Sequence, residues 1–118
     1  MRIIVCIKQV PDPEHFSEIK IDVDKKAIKR EGIPSIVNPL DKNAIEEGLR
    51  IRERFGGEVI AISMGPPQAV DALREALAMG VDRAILLSDR EFAGADTLAT
   101  SYTLSLGIKK LGEFDLVI

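Results

Sequence analysis

Tryptophan is absent from this 118-residue chain, and tyrosine and histidine occur once each. So few aromatics leave no stacking platform for single-stranded nucleic acid. The one histidine, His15, excludes a catalytic triad and a multi-histidine metal site, and it reads as a solvated loop residue. The one cysteine, Cys6, excludes an internal disulfide, and no CxxC pair offers zinc ligands. Basic runs are missing as well. Sixteen Lys and Arg face nineteen Asp and Glu, for a net charge of −3, which argues against nucleic acid as the main partner. The opening MRIIVCIKQ holds too short an apolar run for a signal peptide or a membrane span. A reducing cytoplasm is the expected location, with no membrane insertion. Neither GxGxxG after the first strand nor GxxxxGKS/T anywhere is present.

What is there is ordinary globular material, 46 % hydrophobic and 30 % charged, enough for one domain with a buried core. IIVCI (Ile3–Ile7) is a continuous β-branched run that suits a strand covered on both faces. EVIAISM (Glu58–Met64), RAILLS (Arg83–Ser88) and the final FDLVI (Phe114–Ile118) repeat the pattern. Helical periods lie between them. The first helix begins at NPLD, with Asn38 as N-cap and Pro39 at the first helical position. Asp41 is placed to reach back as in a capping box. Leu40, Ala44, Gly48, Ile51 and Phe55 share its expected inner face, flanked by Ile45 and Leu49, and Gly56-Gly57 ends it. A second helix is expected from about Pro67 to Met79, with Val70, Leu73 and Leu77 inward. A third starts at Asp96 and closes at Gly112. IKIDVDKKAIKREG (Ile19–Gly32) alternates apolar and polar on both sides of Asp24, Lys25 and Lys26, as in a two-stranded hairpin.

This order predicts an α/β fold: a doubly wound, mostly parallel, Rossmann-like sheet of the adenine-nucleotide-binding type, with a small β-hairpin inserted after the first strand. Right-handed crossovers and the usual nucleotide-binding order place the first strand centrally, strands two and three on one side and the fourth on the other. The crevice at the carboxyl ends of strands one and four is the topological switch point, where open α/β sheets bind ligands. The expected organisation is residues 1–118 as the N-terminal part of one nucleotide-binding domain, cut after its fourth core strand.

Chemistry-bearing residues are few. Lys8 and Gln9 in KQVPDPEHF are possible donors to a phosphate or carbonyl, or simply an exposed polar turn. The start of the NPLD helix offers N–H groups to an anion and the Asn38 amide to a ribose or base, yet capping explains Asn38 equally well. SMGPP and GADT are tight strand-to-helix entries that need no ligand. Cys6, mid-strand, reads as a small core residue. Carboxylates sit on helix faces and in the hairpin. No activated nucleophile, tuned acid–base pair or metal set is visible. These residues alone point to a nucleotide-binding α/β domain with no side-chain catalysis of its own.

Several stretches together resemble the β subunit of electron transfer flavoproteins: VCIKQVPD, NPLDKNAIEEGLRIRE, AISMGPPQAVDALREALAMGVDRAILLSD and FAGADTLATSYTLSLGIKKLGEFDLVI. The likeness runs in order from Met1 to Ile118. It implies a heterodimer with an α subunit, carrying electrons on FAD from dehydrogenases or NADH to other oxidoreductases. In that family most FAD contacts come from the α subunit, and the β subunit holds AMP, or in bifurcating members a second FAD. KQVPD and GADTLATSY lean toward the bifurcating or nitrogen-fixation-associated branch. Carried over residue by residue, the family's nucleotide contacts fall on Cys6, on Asn38, Pro39, Leu40 and Asp41, and on Met64. The resemblance thus turns Cys6 from core filler into an expected backbone contact with the adenine. The family's Gly-Gln-Ala phosphate loop and its segment for dehydrogenase recognition are not in this sequence. The alternative is a universal-stress-type ATP-binding protein, which shares the sheet but carries an aspartate where this chain has Lys8. An ATP-pyrophosphatase-type enzyme would need a Ser/Gly-rich loop after strand one, and KQVPDP does not supply it.

Overall fold

A computed structural model describes residues 1–18, 20–24, 27–29 and 34–118. Its centre is a four-stranded parallel sheet of β1 (Arg2–Cys6), β6 (Glu58–Met64), β7 (Arg83–Leu87) and β8 (Leu116–Val117), in the order β7-β6-β1-β8. The first strand is therefore internal and the fourth lies on its far side, the expected order of a nucleotide-binding sheet. Cys6 is in register with Ile62, and Ile4 with both Ile60 and Val117. The final strand is shorter than the apolar run suggests, because only Leu116 and Val117 join the ladder.

Between β1 and α1 (Pro39–Phe55) lie two small antiparallel pairs. β3 (Lys20–Asp22) and β4 (Ala27–Lys29) form the predicted hairpin. Ile19, Lys25, Lys26 and residues 30–33 of that segment lie outside the described residues. The other pair differs from the sequence reading. Gln9–Pro11, read as a turn, is a strand (β2) that pairs with Ser35–Val37 (β5). His15 follows in a short 3-10 turn, Pro13–Glu18. Pro11 is tolerated because a two-stranded ribbon has open edges.

Alternation along β1 and β6 divides the core into two clusters. Ile3, Val5, Ile7, Val59 and Ala61 face α1 and α2 (Val70–Met79), where Ile45, Leu49, Ala72, Leu73 and Ala76 complete a thick layer. Ile4 and Ile62 face the other way and meet Ile108 of α3 (Thr97–Leu111) in a thin one. Gly107 lets α3 come close: a Cβ there would sit 2.8 Å from Leu87 Cδ1. Gly57, at φ 106°, brings the chain back beside the N-terminus, where a Cβ would overlap the Met1 carbonyl.

The predicted face holds in the middle of α1, where Ala44 and Ile51 also pack against the core, and fails at its ends and in α2. In α1 the inward line is Ile45, Gly48 and Leu49, and Leu40 and Phe55 are exposed. They stand at the two ends of a 17-residue helix of about 25 Å, beyond a strand layer too short to cover them. In α2 the buried residues are Ala72, Leu73 and Ala76, and Val70 and Leu77 are exposed. Pro67–Ala69 is a 3-10 turn rather than the helix's first turn. It has a different angular step per residue, which shifts the face that follows.

Candidate functional site at the carboxyl ends of the sheet

Lys8, just beyond β1, holds the site together with its backbone. Its carbonyl accepts the Asn38 N–H at 2.8 Å, and its own N–H donates to Asp41 Oδ2 at 2.8 Å. The end of β1 is thus laced to the first turn of α1. Cys6 precedes it, with its N–H donated to the Ile118 carbonyl at 2.8 Å. That amide is therefore taken by the sheet, and the Cys6 side chain is half-buried.

Asn38 is the N-cap, as predicted: its Oδ1 accepts the Leu40 N–H at 3.2 Å. Asp41 does not close a capping box. The Asn38 N–H already has the Lys8 carbonyl, so the carboxylate turns to the Lys8 N–H. The Asn38 carbonyl accepts from Asp41 N–H at 2.9 Å and Lys42 N–H at 3.3 Å. Pro39 has no N–H to offer. Every first-turn donor is thereby satisfied, so the start of α1 presents side chains rather than an open anion cradle. Those side chains are the Nδ2 amide of Asn38, the second carboxylate oxygen of Asp41, and Leu40, 74 % exposed.

Met64 ends β6, two residues beyond the register partner of Cys6, and is half-buried. The next N–H, from Gly65, donates to the Leu87 carbonyl at 3.0 Å. Asn38, Pro39, Leu40 and Asp41 stand together at the start of α1; the Cys6 side chain packs on the other face of β1, beside Ile4, Ile62 and Ile108, and Met64 ends the neighbouring strand. Gln9 has a structural role: it is buried, and its side-chain amide donates to the Gln68 carbonyl at 3.2 Å. Ser63, which the sequence did not mark, is buried with no partner for its hydroxyl among the described residues. A serine inside the otherwise apolar run VIAIS was the available signal.

The electrostatics are those of a partly dry crevice. Burial pushes the Asp41 carboxyl above its ordinary range, against the opposing pull of the Lys8 N–H and ammonium. Burial also raises the Cys6 thiol, and the Asp41 charge adds to this. A thiol held protonated is a poor nucleophile. No cluster among the described residues could hold a metal ion, and no described helix is long and apolar enough to cross a membrane. A concavity of about 830 Å³ lies at the opposite end of the sheet, lined by Met1, Arg2, Gly57, Glu58, Glu113, Phe114 and Asp115. Its charged groups are already engaged, Arg2 with Glu58 at 2.7 Å and Asp115 with the Arg2 N–H at 2.7 Å.

Comparison with known proteins bears on the family. Residues 26–118 match the electron transfer flavoprotein domain. The electron transfer flavoprotein subunit beta of Clostridium acetobutylicum is 59 % identical over 117 residues, 99 % of this chain and 44 % of that protein. The caffeyl-CoA reductase-Etf complex subunit CarD of Acetobacterium woodii is 59 % identical over 119 residues, covering 100 % of this chain and 44 % of CarD. Protein FixA of Azorhizobium caulinodans is 51 % identical over 113 residues, 96 % of this chain and 39 % of FixA. The chain spans less than half the length of these relatives. The match decides between the two readings the sequence raised, in favour of the flavoprotein over the universal-stress type. The chain belongs to the electron transfer flavoprotein family, and its relatives there include β subunits.

Proposed function

We propose that the chain is part of an electron-carrier subunit that pairs with an α subunit in the cytoplasm and holds an adenine nucleotide at the carboxyl ends of β1 and β6. The carrier passes electrons between dehydrogenases or NADH and further oxidoreductases and performs no bond-making catalysis of its own. FAD, held mainly with the α subunit, supplies the reversible redox chemistry when bound. The nucleotide in this chain's own site is AMP or a second FAD.

The observation that carries the reading is the side-chain set gathered by the Lys8 lacing. Leu40 and Met64 offer apolar and thioether surface for a purine face, with Cys6 at the adjacent strand end. The Asn38 amide and the second Asp41 oxygen offer one donor and one acceptor, suited to ribose hydroxyls or the polar edge of a base. A carboxylate and satisfied helix N–H groups are a poor seat for a phosphate, so the nucleoside end belongs here. These residues bind and orient the nucleotide, and the lacing fixes their spacing before it arrives.

The test is to isolate the native protein from its source cells and identify bound nucleotides and co-purifying chains after denaturation. One FAD with one AMP per heterodimer supports a simple carrier, and two FAD support the bifurcating branch. A protein without flavin and without an α subunit contradicts the reading.

A further inference from the structure

Alternation sets the Lys8 side chain apart from its neighbours. The parallel ladder runs one residue past β1, because the Ile7 N–H donates to the Ile62 carbonyl at 2.9 Å, and the chain then enters β2 at Gln9. Ile7 is buried in the cluster under α1 and α2, and buried Gln9 donates to the Gln68 carbonyl on the same side. In extended backbone the side chain between them points the other way, to the α3 side with Ile4 and Cys6. Lys8 is exposed there. The Cys6 N–H is bonded to the Ile118 carbonyl, so Lys8 stands just past the β1–β8 pair, at the switch point. No ion pair among the described residues includes its ammonium. Lys42, in the first turn of α1, is by contrast engaged with Glu75 at 2.7 Å. Asp41 feels the Lys8 charge, but it stands on the α1 side and the two do not pair.

We propose that the Lys8 side chain binds the phosphate of the nucleotide and so fixes which way round the ligand lies, an assignment that rests on the reading of this end of the sheet as a nucleotide site. The group it takes is the phosphate ester on the 5′-carbon of adenosine, which AMP and FAD share. The Lys8 peptide divides the site. On the α1 side stand the Asn38 amide and the Asp41 carboxylate, which accepts from hydroxyls and repels a phosphate. On the α3 side stands an ammonium that has donors to give and no acceptor of its own. A nucleoside seated on the start of α1 lays its phosphate across the end of β1 toward Lys8. Turned round, the same ligand would set its phosphate against Asp41 and leave the ammonium unpaired. A bond from ammonium to phosphate is charge-assisted and about twice as strong as a neutral one, so the charge carries the orientation. The main chain of Lys8 is already fixed by Asn38 and Asp41, so the cation is placed before the ligand arrives. The site then prefers a phosphorylated nucleoside to the bare one.

The native assembly, freed of its own nucleotide, is titrated by calorimetry with AMP, FAD and adenosine. The parent should bind AMP or FAD about ten-fold or more tightly than adenosine, and the tighter of the two identifies the source of the phosphate. Lys8→Met keeps the aliphatic stem and removes the charge and the donors. It should weaken that ligand about ten-fold or more, leave adenosine unchanged, and flatten the fall of affinity with salt. Lys8→Arg should keep most of the preference. Melting curves of both variants should match the parent, because the bonds that hold Lys8 are made by its backbone. Lys110→Met removes the same charge from the last turn of α3, at the other end of the sheet, and should leave affinity as it is. An equal loss there would reduce Lys8 to a distant charge and overturn the proposal. Equal losses for the phosphorylated ligand and adenosine in Lys8→Met, or no loss for either, overturn it too and leave the nucleotide reading standing. A parent that binds none of the ligands overturns that reading and the proposal with it.

Discussion

The two ends of the parallel sheet are built on opposite terms. At the amino ends charges are matched. Arg2 reaches Glu58 at 2.7 Å and the Leu111 and Glu113 carbonyls at 3.1 and 3.0 Å. Asp82 accepts from both Val59 N–H and Arg52 at 2.8 Å, and these bonds hold its carboxyl below the usual range. At the carboxyl ends the Asp41 carboxylate accepts the Lys8 N–H and is raised by burial. A leucine stands exposed and a buried serine hydroxyl has no partner among the described residues. One end lowers the free energy of the fold, and the other keeps groups that cost it. The end that gives up local stability is the one proposed to hold the nucleotide.

The comparison breaks most visibly at Arg2. Arg2→Ala removes the donor that joins the end of α3 to β6. It should lower stability by about 2–3 kcal/mol in urea unfolding, while nucleotide binding by the folded protein is unchanged. Equal loss of binding would mean that the two ends are not independent.

Asp82→Asn should cost about 1 kcal/mol at neutral pH, because the amide still accepts one bond and the half-exposed site is screened by solvent. The folded pKa lies below the unfolded one. The contribution of Asp82 is therefore full above the ordinary carboxylate range and is lost as pH falls through the folded value. The variant and parent should converge in acid. A gap that persists at low pH would show that charge is not the cause.

Asp41→Asn sharpens the contrast with the smallest change. The folded pKa is raised, so ionising Asp41 costs stability: the cost is absent in acid and complete once pH has risen through the folded value. The carboxamide oxygen can still accept the Lys8 N–H. Stability at neutral pH should hold or rise by up to about 0.5 kcal/mol, opposite in sign to Asp82→Asn. A clear loss would make Asp41 a structural residue like Asp82.

Much of this was legible beforehand. The four core strands announce themselves as β-branched apolar runs, and Asn38-Pro39 and Asp96 mark helix starts, because both signals depend on neighbours in sequence. The strand order followed from crossover handedness together with the usual order of nucleotide-binding sheets. The α1 stripe was misread at Leu40 and Phe55 because periodicity gives a helix's face but not where the layer beneath it ends. β2–β5 was missed because three-residue strands leave no pattern, and one of these contains Pro11. The site showed the same division. Asn38 as a cap could be read locally, but the Lys8–Asp41 bond spans 33 residues and diverts the carboxylate from its expected partner. Ser63 needed the fold to show that nothing meets its hydroxyl.

The central claim is that the start of α1 holds a nucleoside, and Asn38→Asp in the native assembly tests it most directly. Aspartate caps as well as asparagine, so stability should stay within about 0.5 kcal/mol of the parent. It cannot donate from the position of Nδ2, and it adds a second negative charge beside Asp41. AMP titration by calorimetry, with melting curves in parallel, should therefore show unchanged stability and affinity reduced about ten-fold or more. Unchanged affinity, or a loss that merely follows a loss of stability, would make Asn38 a cap and nothing else, and would contradict the account.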